Sequence, residues 1–158
     1  MRSRFTSALL LLIAVAVVVV AADDKFNGTW KLNLAKSKYT PASAAPKSVT
    51  IKYDATADGL TASAEGADAE GKPTSTRYSG KYDGKDVPYE GGGPLGADTI
   101  ALKRVSDASI EATMKRGGKV IGTSKRVVSR DGKAVTITTT GTNANGDKVE
   151  SVAVFEKQ

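Results

Sequence analysis

Apolar and polar residues alternate with a period of two, over and over, from Gly28 to the end of the chain, in short runs divided by glycine-bearing turns. Successive side chains of an extended strand point to opposite faces, so each such run reads as a half-buried β-strand. The first run, Gly28 to Leu34, sets Trp30, Leu32 and Leu34 on one face and Lys31 and Asn33 on the other. Ser48 to Asp54 aligns Val49, Ile51 and Tyr53; Leu60 to Ala64 aligns Leu60, Ala62 and Ala64; Thr74 to Tyr82 aligns Thr76, Tyr78, Gly80 and Tyr82. In the second half, Asp98 to Val105 aligns Ile100, Leu102 and Arg104, and Ser109 to Lys115 aligns Ile110, Ala112 and Met114. Val120 to Ser129, Ala134 to Thr140 and Lys148 to Glu156 complete about nine runs.

The connections are short. Arg116-Gly117-Gly118-Lys119 and Asp131-Gly132 carry hairpin chemistry, and Asn143 to Asp147 forms another turn. Short connections favour antiparallel neighbours and therefore a meander. An open meander of this length leaves two exposed edges, which pairing of the first strand with the last removes. The predicted architecture is all-β, an antiparallel up-and-down barrel of about eight to ten strands, in preference to a sandwich. Asp83 to Ala97, with Gly91-Gly92-Gly93-Pro94, reads as a long loop. Ala35 to Pro46 has room for one helical turn, since Pro41 and Pro46 forbid a longer helix.

Residues 1–22 read as a secretory signal peptide: Arg2 and Arg4 precede an apolar run from Ala8 to Ala22, which ends in small residues ahead of Asp23-Asp24. Cleavage after Ala22 leaves one domain, 23–158, in the secreted or periplasmic space without a stable membrane anchor. The apolar run is shorter than a spanning helix requires. The net charge of +6 loses Arg2 and Arg4 with the leader. The remaining positive charge is dispersed, with no basic run longer than two and no interleaved aromatics, which argues against a nucleic-acid partner. The chain has neither Cys nor His. That excludes disulfides, thiolate nucleophiles, a Ser-His-Asp triad and histidine-ligated metals.

Phe26-Asn27-Gly28-Thr29-Trp30-Lys31-Leu32 resembles the opening strand of the calycins, the lipocalins and fatty-acid-binding proteins, whose signature is Gly-x-Trp. The resemblance implies a lipocalin-like barrel in which Trp30 closes one end beneath a cation from the last strand, a position that Lys157 occupies. The whole chain after the leader also resembles small secreted bacterial proteins of unassigned function. The shared segments are Gly28 to Asn33, Lys36-Ser37-Lys38, Asp83 to Asp86, Gly141 to Asn143 and Val152 to Lys157. The second lipocalin motif, Thr-Asp-Tyr, is missing. The Arg-x-Tyr carboxylate clamp on the last strand of fatty-acid-binding proteins is replaced by Phe155-Glu156-Lys157, and no helix-turn-helix lid fits before Pro41.

The candidate ligand-binding residues are those of inward parity with something to offer a ligand: Tyr53, Tyr78, Tyr82, Arg104, Met114 and Arg126. The tyrosines either stack on a ligand or fill the core with their hydroxyls satisfied. Arg104 is either a buried cation seeking an anion or a rim residue whose head reaches water. Arg126 has the same ambiguity, because the adjacent Val127 and Val128 blur its strand's parity. Met114 suits core filling as well as ligand contact. Asp83, Asp86 and Glu90 have no EF-hand spacing, and no metal or other cofactor is expected. No two carboxylates share an inward parity, so no general acid–base couple can be nominated and no enzyme is expected. The expected function is a monomeric secreted protein binding a small apolar or amphipathic ligand inside its barrel. The alternative is a non-catalytic envelope protein with a filled barrel and functional loops.

Overall fold

A computed structural model describes residues 23–158, and the expected signal peptide lies outside the described residues. Ten antiparallel strands form one sheet: β1 (Gly28–Thr40), β2 (Ser48–Ala55), β3 (Gly59–Ala67), β4 (Pro73–Lys81), β5 (Asp86–Pro88), β6 (Thr99–Ser106), β7 (Ser109–Arg116), β8 (Lys119–Val128), β9 (Ala134–Thr142) and β10 (Lys148–Lys157). Single 3₁₀ turns occupy Ala42–Ala44 and Gly93–Leu95. The spatial order is β4-β3-β2-β1-β10-β9-β8-β7-β6-β5, so the first strand pairs with the last and the meander curls into a barrel. The remaining seam runs between β4 and β5. It is bridged at Arg77 and Glu90, whose backbone N–H groups each donate to the other's carbonyl at 3.0 and 2.9 Å.

The turn chemistry explains the register. Gly117 and Gly118 both take positive φ, 55° and 78°, the requirement of a tight hairpin turn whose twist matches its strands, and β7 and β8 pair on either side of them. Apolar parity does the rest. Trp30, Leu60, Ile100, Leu102, Ile110 and Val135 are all fully buried and converge in one core with Phe26 and Leu95.

Two expectations are corrected. β1 does not stop at Leu34 but continues to Thr40 through a bulge between Asn33 and Lys38. Ser37 Oγ supports the bulge by donating to Asn33 O at 2.7 Å and accepting from Val154 N at 2.9 Å. A bulge reverses side-chain parity, and Leu34 is turned outward to 42% exposure instead of sharing the face of Trp30. Half of the Ala35–Pro46 segment, Ala35 to Thr40, is therefore strand, and the one helical turn expected in the segment falls at Ala42–Ala44. The Asp83–Ala97 stretch is not wholly irregular, since it contains β5 and the Gly93–Leu95 turn.

Candidate functional site

One end of the barrel is shut. Trp30 is fully buried and donates its indole N–H to Phe26 O at 2.8 Å. Lys157, its partner in the β1–β10 register, holds Nζ 5.2 Å from the indole centre. Residues 23–27 fold under this floor: Asn27 N donates to Asp24 O at 2.9 Å, Phe26 N donates to the Asp24 carboxylate at 3.0 Å, and Phe26 is fully buried.

The other end carries the β1–β2, β3–β4, β5–β6, β7–β8 and β9–β10 connections. Between the two ends lies a cavity of about 470 Å³, with Ala44, Pro46, Asp68, Gly91, Pro94 and Asn143 at its mouth. The β5–β6 connection packs down on part of this mouth. Leu95 is fully buried against β8 and β9, where a Cβ at Gly122 or Gly141 would stand 2.4 or 2.5 Å from its Cδ1. Arg116 fastens the loop. It donates from Nε to Gly96 O at 2.9 Å, from Nη2 to Leu95 O, and from Nη1 to Asn143 O at 3.4 Å.

Four of the six residues predicted as ligand contacts line the cavity: Tyr53, Tyr78, Met114 and Arg126. On β8, Ser124, Arg126 and Val128 are buried while Lys125 and Val127 are exposed, so Arg126 points inward. It is 5% exposed and donates from Nε to Tyr53 Oη at 3.3 Å and from Nη1 to Ser124 Oγ at 3.0 Å. Its guanidinium carbon lies 5.8 Å from the Tyr78 ring centre. Among the described residues no carboxylate pairs with it; the four ion pairs involve other cations. Arginine stays charged in any protein environment, so the cavity contains a cation neutralised only by hydroxyls and a ring face. The Tyr78 hydroxyl is buried without a hydrogen-bond partner, and burial pushes its pKa far above the usual tyrosine value, against the opposing pull of Arg126. Tyr89, whose ring meets that of Tyr78 edge-on at 5.2 Å, is also pushed up by burial.

Tyr82 and Arg104, also nominated as ligand contacts, do not line this cavity. Tyr82 follows the last residue of β4, and Arg104 lies where β6 nears the closed end. Arg104 pairs with Asp24 at 2.7 Å, donates to Thr56 O at 3.1 Å and to Ser106 O at 3.1 Å, and stacks 5.0 Å from the Tyr82 ring centre. Its anion is an internal carboxylate, and the pair fastens the N-terminal segment beneath the floor.

Sequence reasoning did not nominate a row of hydroxyls. The register aligns Ser124 of β8 with Thr139 of β9, Thr139 with Ser151 of β10, and Ser151 with Tyr39 of β1. All four line the cavity. Thr139 already shared the parity of Val135 and Ile137 in the sequence. Tyr39 became legible only through the bulge.

No family model and no curated protein sequence matches the chain. Solved structures do. Zebrafish ileal bile acid-binding protein complexed with cholic acid superposes with a TM-score of 0.52 at 13% identity, over 85% of this chain and 99% of that one. As-p18, an extracellular fatty acid-binding protein, superposes with a TM-score of 0.52 at 15% identity, over 86% of this chain and 98% of that one. At such identities the likeness establishes the fold alone, an antiparallel ten-stranded, nearly closed barrel.

Proposed function

We propose that this protein is a secreted, non-catalytic carrier that takes one small amphipathic molecule into its barrel, anionic head inward and apolar body toward the mouth. The observation that carries the reading is Arg126, a buried cation with no carboxylate partner among the described residues, facing a cavity of about 470 Å³. A charge held away from water is costly unless an anion or dense hydrogen bonding compensates it, and a ligand carboxylate supplies both. The Tyr78 hydroxyl, without a hydrogen-bond partner among the described residues and carried by the ring that lies against the same guanidinium, offers a further donor. The bile acids and fatty acids named for the two similar structures share this chemistry, an acid group on an apolar body. A cavity of this size also weighs against the alternative of a filled envelope barrel.

The test is a titration of ligand-free protein, followed calorimetrically, with hexadecanoate, hexadecanol and hexadecylammonium. A hydrogen bond to a charged group contributes about 1.5–3 kcal/mol, so the acid should bind about 10- to 150-fold more tightly than the alcohol, and the ammonium more weakly than either. Arg126→Met should erase the difference between acid and alcohol while leaving the fold intact. Equal binding of acid and alcohol by the unaltered protein would overturn the reading.

A further inference from the structure

The hydroxyl row of the cavity has no evident use for a plain hydrocarbon chain. Along β8, Ser124 sits one inward position above Arg126, about 7 Å along the strand. The row it begins, Ser124–Thr139–Ser151–Tyr39, lies between two other levels. Below it, the register aligns Arg126 with Ile137 and Ile137 with Ala153; above it stand Met114 and Val149, with Gly122 and Gly141 between them. Ser124 and Thr139 are each only 5% exposed. The layering from the floor upward is thus cation, hydroxyl belt, apolar collar. Ser124 Oγ already accepts from Arg126 Nη1 at 3.0 Å, but a hydrocarbon threaded past Thr139, Ser151 and Tyr39 would strip water from their hydroxyls and return no hydrogen bond, which costs about 1–3 kcal/mol for each group left unpaired.

Building on the reading of Arg126 as the head-group site, we propose that this belt is a second polar subsite that selects an amphipathic acid bearing a hydroxyl or keto oxygen on its apolar body, one layer away from the carboxylate. The serine and threonine hydroxyls both donate and accept, so the belt serves either oxygen function. Selection by such a site is strong in one direction. A ligand that supplies the oxygen satisfies the belt, whereas one that lacks it leaves buried polar groups unpaired.

The experiment compares hexadecanoate with its mono-hydroxylated relatives on the protein as it is produced and purified. The hydroxyl is placed beside the carboxylate, in the first half of the chain, or at the methyl end. Only the acid hydroxylated in the first half should gain affinity, about 2- to 13-fold for each hydrogen bond made. In the combined variant Tyr39→Phe, Thr139→Val, Ser151→Ala that gain should vanish, the hydroxylated acid binding no more tightly than hexadecanoate to the same variant. Each of these replacements keeps side-chain shape, and thermal melting checks the fold of the variant. Equal binding of all four acids by the unaltered protein would overturn the belt but leave the head-group reading standing. A preference that persists in the variant would do the same. Failure of every acid to bind would overturn both.

Discussion

Leu95→Ala tests how the mouth is held. Leu95 is fully buried although it sits on a connection, and its Cδ1 occupies the space left by two glycines on neighbouring strands, Gly122 and Gly141. Truncation removes three carbons from this contact. At about 0.8 kcal/mol for each buried methylene, the lost transfer free energy is about 2.4 kcal/mol. Leucine-to-alanine changes in packed cores cost about 2–5 kcal/mol once the cavity is counted. Here the vacated space borders the cavity mouth, and the loop can settle toward it, which places the expected loss at about 2–3.5 kcal/mol. For a domain of this size that corresponds to a fall in Tm of roughly 6–15 °C, read by circular dichroism on ligand-free protein. Leu95→Met, which nearly conserves volume, should cost less than about 1.5 kcal/mol. Release of a bound fatty acid, followed by stopped-flow fluorescence, should be faster in Leu95→Ala than in Leu95→Met. A Tm for the alanine variant within about 2 °C of the unaltered protein would refute the claim that this loop is packed onto the barrel.

Asp24→Ala should destabilise the closed end by about 1–3 kcal/mol in chemical denaturation, because Asp24 both pairs with the half-buried Arg104 and accepts from Phe26 N. Asp107→Ala should be nearly neutral in the same assay, since the Lys25–Asp107 pair is exposed and screened by water. A raised pKa in the folded state contributes stability that is complete below the group's ordinary value, near 10 for tyrosine, and is lost as pH climbs above it. Burial raises the Tyr78 pKa in this way, so alkaline conditions should erode stability by up to about 1.4 kcal/mol per pH unit for this hydroxyl. Tyr78→Phe should remove that share of the slope in melts between neutral and strongly alkaline pH. It should also leave Tm at neutral pH unchanged or higher, because the lost hydroxyl had no partner in the ligand-free barrel. An unchanged alkaline slope would count against this account of Tyr78.

Several site residues were legible because strand parity is a local property. Tyr53, Tyr78 and Met114 alternate with polar neighbours in their own runs, and all three face the cavity. Arg104 and Arg126 show where parity stops. Both are arginines on strands of the second half, yet one is neutralised by Asp24 at the floor and the other by no carboxylate among the described residues. Which anion a cation meets depends on segments 80 residues away in the chain, and no local pattern carries that. Tyr39 was hidden for a related reason, since a bulge inserts residues that break the count of two on which face assignment rests.

The alternation and the glycine turns by themselves pointed to an antiparallel meander of about eight to ten strands closed on itself, because side-chain direction and turn twist are set within a few residues, while the three-residue β5 inside the long loop showed only in the structure. Whether the barrel is filled or hollow was decided only in three dimensions. The cavity is the difference between the circumference that ten strands enclose and the summed bulk of inward side chains from every one of them, and Ala62, Ala64, Ser124, Thr139 and Ala153 leave it open only because they come to face one another across the interior.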